Sequence, residues 1–183
     1  MSNSKAVYFG GSRHPQNINP STIAAVVSTV IKAGQAVHVG CQFGADQAVI
    51  KSAGVYQAGT VNPILSVFAV AATLRTAPAS IQWAETTGAS VTLSAGGNTA
   101  PDHARYLLRS IRAFQGCSQA AFFSPGAGSL AVARECVRSG LSVFAFQQEP
   151  PARVPSVSGQ WVTSSFMGFQ CWQWSAPKQI SLF

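Results

Sequence analysis

Three short stretches combine small and polar residues in the manner of loops that hold phosphate: Gly10-Gly11-Ser12-Arg13, Gly40-Cys41-Gln42-Phe43-Gly44-Ala45-Asp46 and Ser124-Pro125-Gly126-Ala127-Gly128-Ser129. Glycine serves there because a residue without Cβ lets the backbone approach an oxyanion closely. A helix that follows turns its unpaired N–H groups and the positive end of its dipole toward the same anion. Ser129, at an expected helix start, either caps that helix or donates its hydroxyl to a phosphate oxygen. Asp46 has a similar pair of roles, as a cap or as a partner for a ribose hydroxyl. Each loop alone also reads as an ordinary turn. Neither GxGxxG nor GxxxxGK[ST] is present, which argues against a dehydrogenase or a P-loop ATPase.

The elements around these loops alternate short apolar runs with helical periodicity, the pattern of βαβ units in a parallel sheet. Strands are expected at Ala6–Phe9, Ala36–Val39, Ile64–Val70, Val91–Leu93, Ala120–Phe123 and Ser142–Phe146. Ile23, Val26, Val27, Val30 and Ile31 carry helical spacing over Pro20–Ala33, closed by Gly34. Further helices are expected over Asp46–Ala53, Pro78–Thr87, Pro101–Phe114 and Ser129–Ser139, with Ala95–Ala100 as a loop. In a parallel sheet the three small-residue loops fall at one edge, the carboxyl ends of the strands, where open α/β folds bind ligands. The expected fold class is therefore α/β: a three-layer α/β/α modified Rossmann domain with a mostly parallel sheet. Residues 1–147 make that domain. The proline-rich Gln147–Ser158 leads out of it to an aromatic extension, within 148–183, packed on the same domain. Gln160–Trp174 alternates aromatic and polar residues, as a hairpin or added strand does. Its rings either cover a sheet edge or stack nucleobases.

Composition narrows the function classes. The chain has 183 residues, a size that fits one core. Hydrophobic residues make up 47% and charged residues 9%, which fits a sheet covered on both faces and excludes a disordered chain. Twelve Lys and Arg against five acids give a net charge of +7, a field that attracts nucleotides, nucleic acid or acidic partners. Arg105, Arg109, Arg112, Arg134 and Arg138 crowd two helical segments, as solvated faces or as a phosphate-sensing surface. Met1–Lys5 is too short and polar for a signal peptide, and no window reaches the roughly 20 apolar residues of a membrane span. A cytoplasmic protein without a membrane partner is expected. Cys41, Cys117, Cys136 and Cys171 lack CxxC spacing, so buried free thiols are expected. His14, His38 and His103 are too scattered for a metal site, although His14 and His103 flank the ligand-side loops. No metal and no cofactor are expected.

The order of these loops resembles the SLOG superfamily, which includes the DNA-processing protein A group and the lonely-guy phosphoribohydrolases. The resemblance covers about residues 6 to 146. It rests on Val7 to Arg13, on Val39-Gly40 through Asp46, on an arginine-led helix at Arg105, and on Phe122 to Ser129 with Gly140 to Val143. It implies that Gly10, Gly11, Ser12 and Arg13 form a first ligand loop and Gly44 with Asp46 a second. Arg105 precedes a third, made by Pro125, Gly126, Ala127, Gly128 and Ser129. Relatives that cleave an N-glycosidic bond carry acids just after this third loop. Here Ala131 and Val132 stand in their place, and Glu135, one helical turn beyond Ala131, is the nearest substitute. Glu135 is otherwise a partner for Arg134 and Arg138.

The reading that follows is a protein that binds a nucleotide or nucleotide-derived ligand as a sensor or sequestering protein. One alternative is a phosphoribohydrolase with Glu135 or Asp46 as the acid. The other is a single-stranded nucleic-acid binder, consistent with the charge, the arginines and the aromatic tail. Homo-oligomers are expected by analogy, through helices that flank the sheet.

Overall fold

Val7 and Phe9 project to one face of the first strand and Tyr8 to the other, and all three are buried, so this strand needs cover on both sides. The computed structural model supplies it, describing residues 6–15, 18–62, 64–70, 78–94 and 101–177. In chain order the elements are β1 (Ala6–Gly11), α1 (Pro20–Lys32), β2 (Ala36–Val39), α2 (Ala45–Gln57), β3 (Leu65–Val70), α3 (Pro78–Thr86) and β4 (Ser90–Ser94). They continue with α4 (Asp102–Phe114), β5 (Cys117–Phe123), α5 (Ala127–Arg138), β6 (Ser142–Phe146), β7 (Gln160–Phe166) and β8 (Phe169–Ser175). The strands form one sheet in the order β4-β3-β2-β1-β5-β6-β8-β7. All neighbours from β4 to β6 are parallel, β8 joins β6 antiparallel, and β7 pairs antiparallel with β8.

Val26, Val27 and Val30 of α1, Val49 and Ile50 of α2 and Ile81 of α3 pack in one cluster with Val7 and Phe9. Ala113 and Phe114 of α4 and Leu130 and Ala133 of α5 pack with Tyr8 and Phe122 on the other face. The fold is thus a three-layer α/β/α arrangement of Rossmann type. Strand order runs outward from β1 in both directions, so the switch in direction falls between β1 and β5, and a crevice opens there at the carboxyl ends of the strands. Among the described residues no helix is long and apolar enough to cross a membrane.

Local chemistry explains most element boundaries. Asn19 caps α1 by accepting from Ser21 N–H at 3.0 Å, Pro20 opens it, and Gly34 at φ 76° closes it. Helix α2 runs to Gln57, beyond the expected end at Ala53. Gly54 looks like a stop signal but lies inside the helix, where a Cβ would collide with the Trp83 ring. Helix α5 begins at Ala127, two residues before the expected Ser129, so Ser129 does not cap it. Gly126 is the N-cap and brings no side-chain hydrogen bond. The loop expected at Ala95–Ala100, the Ala-rich exit of β3 and the segment Met1–Lys5 lie outside the described residues.

The aromatic extension continues the sheet. Trp174 and Phe166 are buried, and Trp161 stands edge-on to Trp174 with centroids 5.3 Å apart. The Trp161 indole N–H donates to Ala152 O at 3.0 Å and that of Trp172 to Gln147 O at 3.2 Å. These bonds, with the buried Val154, hold the proline-rich stretch against the domain. Phe166 and Trp174 thus pack into the sheet's cover, while Trp161, Phe169 and Trp172 are half-buried.

Candidate functional site

The turn after β1 is the hub of the ligand-side edge. Ser12 N–H donates to Phe123 O at 3.0 Å, and Ser12 O accepts from Ala45 N–H at 3.0 Å. Ser129 Oγ donates to Gly11 O at 2.8 Å. The first loop is thereby bonded to the second at the start of α2 and to the third at the start of α5. Glycine is required at the contacts: a Cβ on Gly11 would strike the Phe123 carbonyl, with Ala45 Cβ 2.7 Å away. One on Gly44, which sits at φ 83°, would strike the Arg13 backbone.

These loops border a cleft of about 600 Å³ at the β1–β5 switch, lined by Gly11, Ser12, Arg13, Asp46, Gly126, Gly128 and Ser129. The structure brings these residues, chosen from the sequence, to the wall of one cavity. Gly10, Gly44, Pro125 and Ala127 support the loops without lining it. The third loop turns sharply at Ser124, φ 45°, and Gly126 and Gly128 are exposed with open space where a Cβ would project. The first-turn N–H groups of α5 meet no capping side chain, which leaves them available to an anion.

At the floor lies a buried ion pair, Arg109 Nη1 to Asp46 Oδ2 at 3.9 Å. Asp46 Oδ2 also accepts from Gln42 N–H at 3.1 Å, and Arg109 Nη2 donates to Ser110 Oγ at 3.1 Å. Burial pushes the Asp46 carboxyl above its ordinary value, opposed by the Arg109 charge. Burial works against the Arg109 charge, yet Asp46 beside it, helped by the hydrogen bond to Cys41 Sγ, outweighs that effect and raises its pKa. Burial likewise raises the Tyr8 phenol, which stays neutral at the base of the cleft. The pair sits on Gly40, where a Cβ would collide with the carboxylate and lie 2.6 Å from Arg109 Nη1. Tyr106, also in the lining, carries both Arg13 and Arg109 over its ring at 5.8 and 5.9 Å.

No known protein family matches the sequence, and no curated protein matches it. A solved structure does resemble the fold. It is that of DNA processing protein A from Helicobacter pylori, described for its unique single-stranded DNA binding mode. The two superpose with a TM-score of 0.62 at 13% identity, over 80% of this chain and 66% of that one. The likeness shows a fold in common with that DNA-processing protein and does not single out the SLOG superfamily.

Several residues stand elsewhere than the sequence suggested. Arg105 pairs with the exposed Asp102 at 3.7 Å and does not line the cleft; Arg109, one turn further along α4, does. Arg134 lines it too, while Glu135 does not: its Oε1 accepts from Arg134 Nε at 2.6 Å and from Arg138 Nη1 at 3.4 Å. His103 reaches the lining, and the His14 backbone N–H donates to Ser12 Oγ at 3.0 Å. Tyr8 and Tyr106 carry no local signal, and Arg109 stands in the sequence only as one of five arginines on two helical segments. Helical phase puts Arg105 and Arg109 on one face of α4, and only the packing of that helix distinguishes them. None of the four cysteines is in a disulfide; Cys41, Cys136 and Cys171 are buried and Cys117 half-buried.

Proposed function

We propose that the chain binds single-stranded nucleic acid by seating a backbone phosphate at the start of α5, with the attached nucleotide in the cleft. The observation that carries this reading is the convergence of three hydrogen-bonded loops on one cavity that also holds Arg13, Arg109 and Arg134. Helix-end N–H groups and arginines provide charge-assisted hydrogen bonds to phosphate oxygens, and Tyr106 offers a ring for a base. The net charge of +7 supports a polyanionic partner, and the fold shared with a single-stranded DNA binder supports the same class. Titration of a labelled single-stranded oligonucleotide at two salt concentrations tests it. Binding should weaken steeply with salt as counterions are released. Salt-independent binding, or none, would reject the reading.

A second reading, a free nucleotide held as a signal, is favoured by the cleft volume of about 600 Å³, the size of a small-molecule site. A nucleoside monophosphate that binds without being displaced by the oligonucleotide would favour it. Cleavage of a glycosidic bond has less support, because Glu135 is engaged by two arginines away from the cleft. Asp46, already paired with Arg109, is the remaining acid. Release of free base from a nucleoside monophosphate, lost in Asp46→Asn, would be the evidence for it.

A further inference from the structure

Strand β7 ends the sheet, and nothing in its sequence blunts that edge. No residue between Arg153 and Lys178 is charged, and Gln160–Phe166 contains neither proline nor lysine. Its ladder with β8 is continuous from Gln160↔Ser175 to Phe166↔Phe169. Natural sheets protect such edges with charges, prolines or bulges, because a bare edge is a template for another strand.

The hairpin fixes which backbone groups point outward. Met167 and Gly168 both have positive φ, 53° and 85°, as a two-residue type I′ turn requires, so Phe166↔Phe169 is a hydrogen-bonded pair. Pairs alternate from there, and Ser164, Val162 and Gln160 also bond toward β8. The N–H and C=O groups of Ser165, Thr163 and Trp161 therefore face away from the sheet. Among the described residues, no backbone hydrogen bond from a turn, loop or cap reaches these three.

We propose that this edge pairs with the β7 edge of a second copy of the chain, antiparallel about a two-fold axis at Thr163. In that register Thr163 faces its own counterpart and Trp161 faces Ser165 in both directions. The outward groups of the three residues match one another completely, giving about six backbone hydrogen bonds between the copies. Val162 then lies across from Ser164 on the opposite face. A second copy is the occupant because the register is self-complementary and the interface is uncharged. No charged side chain lies on β7 itself, so no like charges face one another across this edge. The sheet's other edge, β4, is a shorter strand of five residues.

Sedimentation of the whole chain at rising concentration tests the proposal. The wild type should approach twice the mass of one chain, while Thr163→Pro should stay at one. Thr163 is exposed and its N–H points outward, so proline removes only the bond to the partner. Thr163→Lys provides a second route to the same loss without a backbone change, should the proline variant fold poorly. Thr163→Cys should form a disulfide between two copies under mild oxidation, since facing residues of this kind lie about 5.5 Å apart at Cα, within disulfide range. A wild type that remains monomeric, a dimer that persists in both folded variants, or absence of the 163–163 disulfide would overturn it.

Discussion

Ser129 Oγ donates a 2.8 Å hydrogen bond to the carbonyl of Gly11, joining the start of α5 to the turn after β1 across the switch point of the sheet. The serine hydroxyl is thus committed to the scaffold, and phosphate recognition falls to backbone N–H groups and arginines. Ser129→Ala should cost about 1 kcal/mol of stability, the ordinary net worth of such a bond. It should also loosen the cleft, weakening oligonucleotide binding severalfold. Chemical denaturation and a binding titration on the same variant measure both effects.

The buried pair of Arg109 and Asp46 leads to an asymmetric expectation. Arg109→Met leaves a carboxylate in the interior and should destabilise the fold by about 3 kcal/mol, whereas adding Asp46→Asn should restore much of that loss. Urea unfolding of the two single variants and the double variant gives the coupling. Additive losses would mean that the pair does not act as one unit.

Gly40 supports that pair by having no side chain. Gly40→Ala should overpack the floor of the cleft at a cost of about 1–3 kcal/mol and reduce ligand binding with it. A thermal melt and a titration report the two consequences; an unchanged melting temperature would show that the pair yields freely.

His38 gives the fold a pH-dependent component. Its Nδ1 lies 2.8 Å from Ala113 O, and burial lowers its pKa below the ordinary 6.5, opposed by that hydrogen bond. The folded state then binds fewer protons than the unfolded state, so stability should fall as pH drops below 6.5. Replacing His38 with Gln should flatten this acid limb in denaturation curves collected across that range. Cys117, 3.6 Å from the same nitrogen, has its thiol pushed by burial up to about 12, so this cysteine and histidine do not form a reactive thiolate pair.

Two arginines near the ligand edge, Arg134 lining the cleft and Arg105 paired outside it, carry contrasting expectations. Arg134→Met should weaken single-strand binding and lower the slope of log affinity against log salt by about 1, the signature of one lost phosphate contact. Arg105→Met should leave the slope unchanged, because that side chain meets Asp102 outside the cleft.

Much of this architecture is local in origin and readable from the sequence. Apolar runs such as Ser142–Phe146 and glycine stops such as Gly34 and Gly140 mark elements through propensity and periodicity, which act over a few residues. The convergence of the three loops followed from parallel topology. What escaped depended on packing between distant segments. The helix expected to end at Ala53 runs on through Gly54, whose lack of a Cβ makes room for the Trp83 ring. Arg105 and Arg109 share a helical face, and the depth of α4 against the sheet decides which one enters the cleft. The start of α5 was missed because glycines at 126 and 128 look like loop, although the turn at Ser124 lets the helix begin at Ala127. The aromatic alternation of β7 and β8 fits either a hairpin or an added strand and does not show which rings are buried.

The claim that a phosphate seats at the start of α5 meets its most direct test in Gly128→Glu. Nothing lies within 4 Å of a Cβ there, so the side chain fits without disturbing the fold, and a carboxylate in the first helical turn is itself favourable. It would occupy the anion position with a competing charge. Equilibrium binding of a single-stranded oligonucleotide at fixed low salt should fall by about tenfold or more, equivalent to about 1.4 kcal/mol, with the melting temperature retained. Unchanged affinity in the folded variant would contradict the account.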